Sequence, residues 1–321
     1  MADFAEREGG TVVNAAVNIF VHVDFLLGGN RIRLHAEDMG EHLTVESSAF
    51  LDYDGKLDLH KAALNLLPVT GGIEILSRSD APPGSGLGGS GALDVALLAG
   101  LAHCRLESYE PNELAELGFV LEAGELGLLG GKQDQYAAAL GGFNQLDFGQ
   151  GSVRARGLSI SEAAAQDLRR HLVLLYTGKS HFSSETHARV WGSFHGGNAS
   201  VAGAIRAMRD VARQVGPVLE SGDWHRLGEL MDENWRNQQL LDATMFTATI
   251  RDVDQAVREA GAWGLKATGA GAGGCMAVIC PPERRDAVAN AARAHGAELL
   301  AYDFTFEGVK VWQRDDAAPH T

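Results

Sequence analysis

Apolar and polar positions alternate over Val13, Ala15, Val17, Ile19, Val21 and Val23, with Asn14, Asn18 and His22 between them. A period of two gives one buried and one wetted face, so this stretch predicts a strand. Runs at 30–36, 41–48 and 72–78 predict further strands, and 57–67 predicts a short helix. From Ser90 to His103 the chain is apolar nearly all round, as in a helix buried on most sides. Pro111 suits the first turn of the next helix, which is expected to reach about Gly127. A glycine-rich turn, another helix and a hairpin over 141–158 come next.

Ser161 offers an N-cap, and 171–178 reads as a buried strand. Helical patterns continue to about residue 262. The glycine-rich stretch 264–280, a helix over 283–295 and two last strands, 298–304 and 308–314, complete the chain. Strands with helices inserted after them predict an α+β fold in two parts, 1–160 and 161–321. The second part is expected to be an antiparallel sheet with helices on one face.

Composition narrows the function. At 45% hydrophobic and 21% charged, the 321 residues describe an ordinary folded chain. The net charge of −15 repels a phosphate backbone and argues against nucleic acid as a partner. An anionic substrate then needs local donors and a metal ion to offset the global field. The start, MADFAEREGG, lacks a signal region, and no apolar run approaches the ~18 residues that span a membrane, so a cytoplasmic location is expected. Cys104, Cys275 and Cys280 are odd in number and form no CxxC pair, which fits buried thiols of a reducing compartment.

Three segments carry candidate chemistry. Pro82-Pro83-Gly84-Ser85-Gly86-Leu87-Gly88-Gly89-Ser90 contains GxGxxG, and Gly269 to Gly274 matches the same pattern. A dinucleotide site needs a second strand with an acidic tip, and none follows the helix ending near His103. A Walker loop fails on spacing, because its first glycine would fall on Val173 for Lys179 or on Leu126 for Lys132. What remains is physical. A glycine loop feeding a helix gathers free backbone N–H groups at a positive dipole end, which suits phosphate. Ser90 at that junction adds a hydroxyl for a magnesium ion, with a tight packing turn as the competing reading. Gly130 to Gln135 places Asp134 at a helix start, where it would serve as a base or merely as an N-cap. Glu122 and Glu125 upstream are candidate magnesium ligands or a solvated helix face.

In their order these segments resemble the GHMP kinases, the superfamily of galactokinase, homoserine kinase, mevalonate kinase and phosphomevalonate kinase. Pro82 to Ser90 is similar to the family's Pro-x-Gly-x-Gly-Leu-Gly-Ser-Ser loop, with Gly89 for the first serine, and Lys266 to Gly274 fits Lys-x-x-Gly-Ala-Gly-x-Gly-Gly. GGKQDQYAAALGGFN, YTGKSHFSS and FEGVKVWQR look closer to the heptose 7-phosphate kinase branch. The resemblance implies a ribosomal-protein-S5-like N-terminal domain and a ferredoxin-like C-terminal domain.

It implies further that Pro83, Gly84, Ser85, Gly86, Leu87, Gly88, Gly89 and Ser90 bind the phosphates of ATP, that Ser90 and Glu122 bind Mg2+, and that Asp134 is the catalytic base or an orienting carboxylate. Glu122 is preferred over Glu125 by its spacing to Asp134. Gly271 and Gly273 would shape the loop supporting phosphoryl transfer. The substrate would be a sugar phosphate, most simply a heptose 7-phosphate, phosphorylated at its anomeric hydroxyl. An octose phosphate, a free sugar such as fucose, or a catalytically silent ligand sensor are the alternatives, and a homodimer is allowed. Lys179, Ser180 and His181 form the best local cationic cluster for the sugar's phosphate, with a polar strand-end turn as the rival reading. Arg154 and Arg156 read as solvated.

The family's first strand and its Pro-x-x-x-Gly-x-x-x-Asp motif have no counterpart before Asp3 to Gly10, which resembles their end. Lys132 is the substitute expected for the cation that motif carries beside the base. Trp235, Leu240, Leu241 and Phe246 are expected to pack against the glycine loops or the sugar pocket, with ordinary core packing as the rival.

Overall fold

The computed structural model describes residues 2–46, 50–149, 151–178, 183–269, 271 and 273–314. The first part runs α1 (Ala2–Glu8), β1 (Gly10–Ala15), β2 (Val21–Leu27), β3 (Arg31–Ala36), β4 (Glu41–Glu46), α2 (Asp58–Leu66), β5 (Ile73–Ser79), α3 (Gly89–Cys104), α4 (Pro111–Phe119), a π-helical turn (Val120–Glu125), α5 (Gln133–Leu140), β6 (Phe143–Gly149) and β7 (Ser152–Gly157). The second runs α6 (Glu162–His171), β8 (Leu172–Tyr176), α7 (Ser183–His195), α8 (Ala199–Ser221), α9 (Trp224–Gln239), α10 (Ala248–Glu259), β9 (Gly264–Ala267), β10 (Cys275–Ile279), α11 (Arg285–Ala294) and β11 (Glu298–Leu299).

Two sheets serve the first part, in the orders β2-β5-β3-β4 and β1-β6-β7. Helix α3 lies in the core between them. Its Leu97, Leu98 and Leu101 pack with Ile32, Leu34, Ile73 and Ile75, while its Val95 joins Tyr136 and Leu146. Burial on nearly every side is what its apolar sequence predicts. The second part holds an antiparallel sheet, β11-β8-β10-β9. One face packs Leu265, Met276 and Val278 against Ile250 and Val253 of α10 and Val288 of α11. The other face presents Leu174 and Cys275 to Val17, Ile19 and Leu87 of the first part. Ser161 caps α6 by accepting from the Ala164 N–H at 3.2 Å, as its position predicts.

Three expectations change. The alternating run 13–23 is two strands in different sheets, β1 and β2, broken over 16–20. There the chain bends at Asn18 and changes partners, Ala16 N–H donating to Gly142 O and Asn18 N–H to Asp303 O. Alternation persists because each partner brings its own core. The helix expected to reach Gly127 leaves α geometry after Phe119. Of the two last strands, only Glu298–Leu299 is assigned as a strand, and Phe304 makes one bridge to Val17. Residues 308–314 form no strand among the described residues. Val309 instead packs into both cores of the first part.

Candidate active site

The loop before α3 turns through positive φ at Gly84, Gly86 and Gly88. Helix α3 starts at once, with Gly88 as N-cap and no side-chain cap. The first amides of a sixteen-residue helix, at Gly89, Ser90 and Gly91, therefore have no capping side chain and sit at its positive end. The rear of the loop is pinned by the second part. Ser85 is buried, and its carbonyl accepts from Cys275 N–H at 2.7 Å and Thr268 Oγ1 at 3.3 Å. Tyr176 Oη donates to Pro83 O at 3.2 Å, and Leu87 packs beside Leu174 and Cys275.

Asp134, second in α5, lies directly against this junction. A methyl group on Gly88 would meet its carboxyl carbon at 3.0 Å and Oδ1 at 3.1 Å, and one on Gly91 would overlap its Cβ at 2.8 Å. The two glycines let α5 approach the loop backbone. Burial first, and then the charge of Glu122, push the Asp134 carboxyl up to about 6.

Glu122 reaches the same place from the π-helical turn, a geometry that re-aims side chains and recurs at functional sites. Its Oε1 accepts from Ser90 Oγ at 2.8 Å and its Oε2 from Gln135 Nε2 at 2.8 Å. Gln135 also faces Asp94 Oδ2 at 3.4 Å. Asp94 is fully buried in α3, and burial, followed by the Glu122 charge, raises its carboxyl well above the usual range. Glu125 points elsewhere, accepting from Tyr53 Oη at 2.9 Å. Lys132 is committed to Glu116 at 2.6 Å and lies 4.9 Å over the Phe119 ring. It is therefore not the free cation expected beside Asp134.

Among the described residues no group of three or more His, Cys, Asp or Glu side chains could hold a metal ion. Ser90 and Glu122 nonetheless form a hydroxyl–carboxylate oxygen pair 2.8 Å apart at the amide cluster. Magnesium bound alongside phosphates needs only one or two protein oxygens, so this donor set fits it.

The second glycine stretch abuts the first. A methyl on Gly269 would come within 3.2 Å of Gly86 Cα, and one on Gly274 within 2.6 Å of Ser85 O. Gly271 and Gly273 are buried, and a methyl on Gly271 would meet Met245 Cβ at 3.3 Å. Lys179, Ser180 and His181 lie outside the described residues. Of the aromatic and aliphatic quartet, Trp235 is fully buried with Phe246 at its edge, Leu241 packs in a small core, and Leu240 is exposed. Helix α9 touches the glycine stretch instead through Gln238 Nε2, 3.0 Å from Gly269 O. Arg156 pairs with Glu220 at the surface.

Sequence reasoning passed over Asp94 and Gln135. The signal for Asp94 is a lone carboxylate inside an otherwise apolar helix, since an ionisable group is buried only where something holds it. Gln135 had no signal beyond its place next to Asp134.

Known proteins share this architecture. The description "GHMP kinases N terminal domain" matches residues 57–142 and "GHMP kinases C terminal" matches 207–298. A D-glycero-alpha-D-manno-heptose 7-phosphate kinase of Campylobacter jejuni is 28% identical, covering 97% of this chain and 93% of its own. A mevalonate kinase of Thermococcus sibiricus is 31% identical, covering 94% and 92%. The crystal structure of a D-glycero-D-manno-heptose 1-phosphate kinase from Bacteroides thetaiotaomicron superposes with a TM-score of 0.79 at 24% identity, covering 98% of this chain and 94% of that one. No described helix is long and apolar enough to cross a membrane. Likeness of this degree over nearly the whole length, with both family descriptions matched in order, makes the chain a member of the GHMP kinases, ATP-dependent phosphotransferases that act on an alcohol group.

Proposed function

We propose that this kinase phosphorylates the anomeric hydroxyl of a sugar phosphate, a heptose 7-phosphate. The observation that carries the reading is Asp134 lodged with its carboxyl against Gly88 and its Cβ against Gly91, beside the uncapped amides of α3. The likeness to the Campylobacter jejuni enzyme over 97% of the chain supports the choice of sugar. The sugar hydroxyl attacks the γ-phosphorus of ATP. The new O–P bond forms as the bond from that phosphorus to the bridging oxygen breaks, ADP keeps that electron pair, and Asp134 takes the hydroxyl proton late.

The loop from Pro83 to Ser90 holds the phosphates through backbone N–H groups. Ser90 and Glu122 would hold magnesium, which when bound neutralises charge on the phosphate oxygens. Gly271 and Gly273 would shape the second glycine stretch, which braces the first loop through Gly269 and Gly274, and Lys179, Ser180 and His181 would contact the sugar's own phosphate. The working division is 1–160 for the nucleotide part and 161–321 for the part completing the site, with 304–314 returning to the first.

The test is coupled ADP release with MgATP across heptose 7-phosphate, an octose phosphate, hexose phosphates and free fucose. Turnover is expected to be best with heptose 7-phosphate, and Asp134→Ala should lower kcat by about 10³. ATP binding without turnover of any sugar would make the chain a ligand sensor. Unchanged ADP release from Asp134→Ala would remove Asp134 as the base.

A further inference from the structure

Two asparagines outside the loops clamp the helix that carries Asp134. Asn14 on β1 and Asn144 on β6 are direct cross-strand partners. Asn144 is buried, and its Nδ2 donates to Gly141 O at 2.8 Å and to Asn14 Oδ1 at 3.2 Å. Asn14 Nδ2 donates in turn to Gln133 O at 3.2 Å. Gln133 is the first residue of α5 and Gly141 its C-cap, so one amide pair ties both ends of the helix to the sheet.

The sheet itself has no need of these residues. Asparagine is depleted in strands, and burying an amide costs stability unless its hydrogen bonds are made. An apolar cross-strand pair would hold β1 to β6 at least as well. Helix α5 has no side-chain N-cap. Asn14, which donates to a carbonyl and so does not cap the free N–H groups, tethers the first turn of the helix to the sheet. The residue after that anchored carbonyl is Asp134. A fixed carbonyl at Gln133 fixes where the Asp134 backbone starts, and hence how close its carboxyl lies to the α3 amides.

We infer that Asn14 and Asn144 are positioning residues for phosphoryl transfer, holding α5 so that Asp134 meets the attacking hydroxyl. The inference rests on Asp134 being the base. Reaction geometry is unforgiving, since displacement of a reacting group by about 1 Å costs about 10²-fold in rate. A strap that shifts α5 by a fraction of that distance should therefore act on kcat and hardly on binding.

The experiment compares Asn14→Leu, Asn14→Asp, Asp134→Ala and the double variant Asn14→Leu/Asp134→Ala, assayed with MgATP and heptose 7-phosphate and by thermal melting. Asn14→Asp keeps the shape and the acceptor for Asn144 but loses the donor to Gln133 O, so it stands in if Asn14→Leu does not fold. The expected result is a kcat lowered about 10- to 100-fold, with both KM values within about threefold of the parent. In the Asp134→Ala background the asparagine change should cost nothing further, because its effect runs through the lost carboxyl. A kcat within twofold of the parent, with or without a lower Tm, overturns the inference, as do losses that simply multiply in the double variant. Should Asp134→Ala itself leave kcat unchanged, the base assignment fails first and this inference with it.

Discussion

The two glycine stretches, 84–90 and 269–274, both satisfy GxGxxG, yet the fold gives them opposite tasks. The first runs into α3 and leaves that helix's opening amides without a side-chain cap. The second runs into strand β10, which has no such positive end. Its glycines answer to closeness: Gly274 at φ 78 lies where a methyl would stand 2.6 Å from Ser85 O and 2.9 Å from Gly84 O. In the first stretch Gly86 and Gly88 also admit close neighbours, Thr268 and Asp134, but Gly89 faces open space beside the uncapped amides, whereas in the second Gly269 and Gly274 let backbone approach backbone. The element into which the glycines lead, helix or strand, separates the two.

The sharpest break of this contrast is Gly274→Ala. The substitution strains a left-handed backbone and overlaps main-chain atoms that cannot swing aside. About 3 kcal/mol of destabilisation is expected, lowering Tm by about 6 °C, with ATP affinity lost as the first loop is displaced. Calorimetry in the absence of nucleotide checks this. An unchanged Tm would mean that the second stretch does not brace the first.

Gly89→Ala is the counterpart. Nothing in the protein lies within 4 Å of the added methyl, and Gly89 has no positive φ. Alanine is also the better helix former, so stability should hold or rise slightly. The methyl would nevertheless stand among the amides where phosphates approach, and KM for ATP should rise about tenfold. Initial-rate kinetics at varied ATP decide the point. An unaltered KM would take the phosphates away from this loop.

Local chemistry explains why so much of this was legible. A glycine loop that leads into a helix is written in consecutive residues, and Pro82 to Ser90 carries the turn, the helix start and the hydroxyl in one string. The apolar run after it names its own burial. What escaped depends on partners distant in sequence. Residues 13–23 keep the alternation of one strand while crossing from one sheet to the other, and period alone does not register a change of neighbour. Residues 308–314 alternate as a strand does, yet pack through Val309 without a ladder among the described residues. The π-helical turn that aims Glu122 at Ser90 leaves no mark in composition. Asp94 did leave one, a carboxylate in an apolar helix, and it identifies the buried side of the cluster that Gln135 joins to Glu122.

The smallest effect tests the electrostatics at the seam between the loops and α5. In the folded protein Asp134 titrates at about 6, against about 3.9 for an exposed aspartate. A carboxyl raised in this way favours the native state while protonated. Its contribution is complete below the unfolded value and is lost as pH rises through about 6. Asp134→Asn has nothing to ionise, so it should match the parent near pH 4 and exceed it above pH 7. The gain is on the order of 1 kcal/mol, because Asp134 is partly exposed, or about 2 °C in Tm. Melting curves of the apo protein from pH 4 to 8 measure it. A difference between the two proteins that stays flat across that range would mean that Asp134 is not desolvated against Gly88. A gain that grows with pH while ADP release disappears would show a carboxylate kept at a cost in stability for its chemistry.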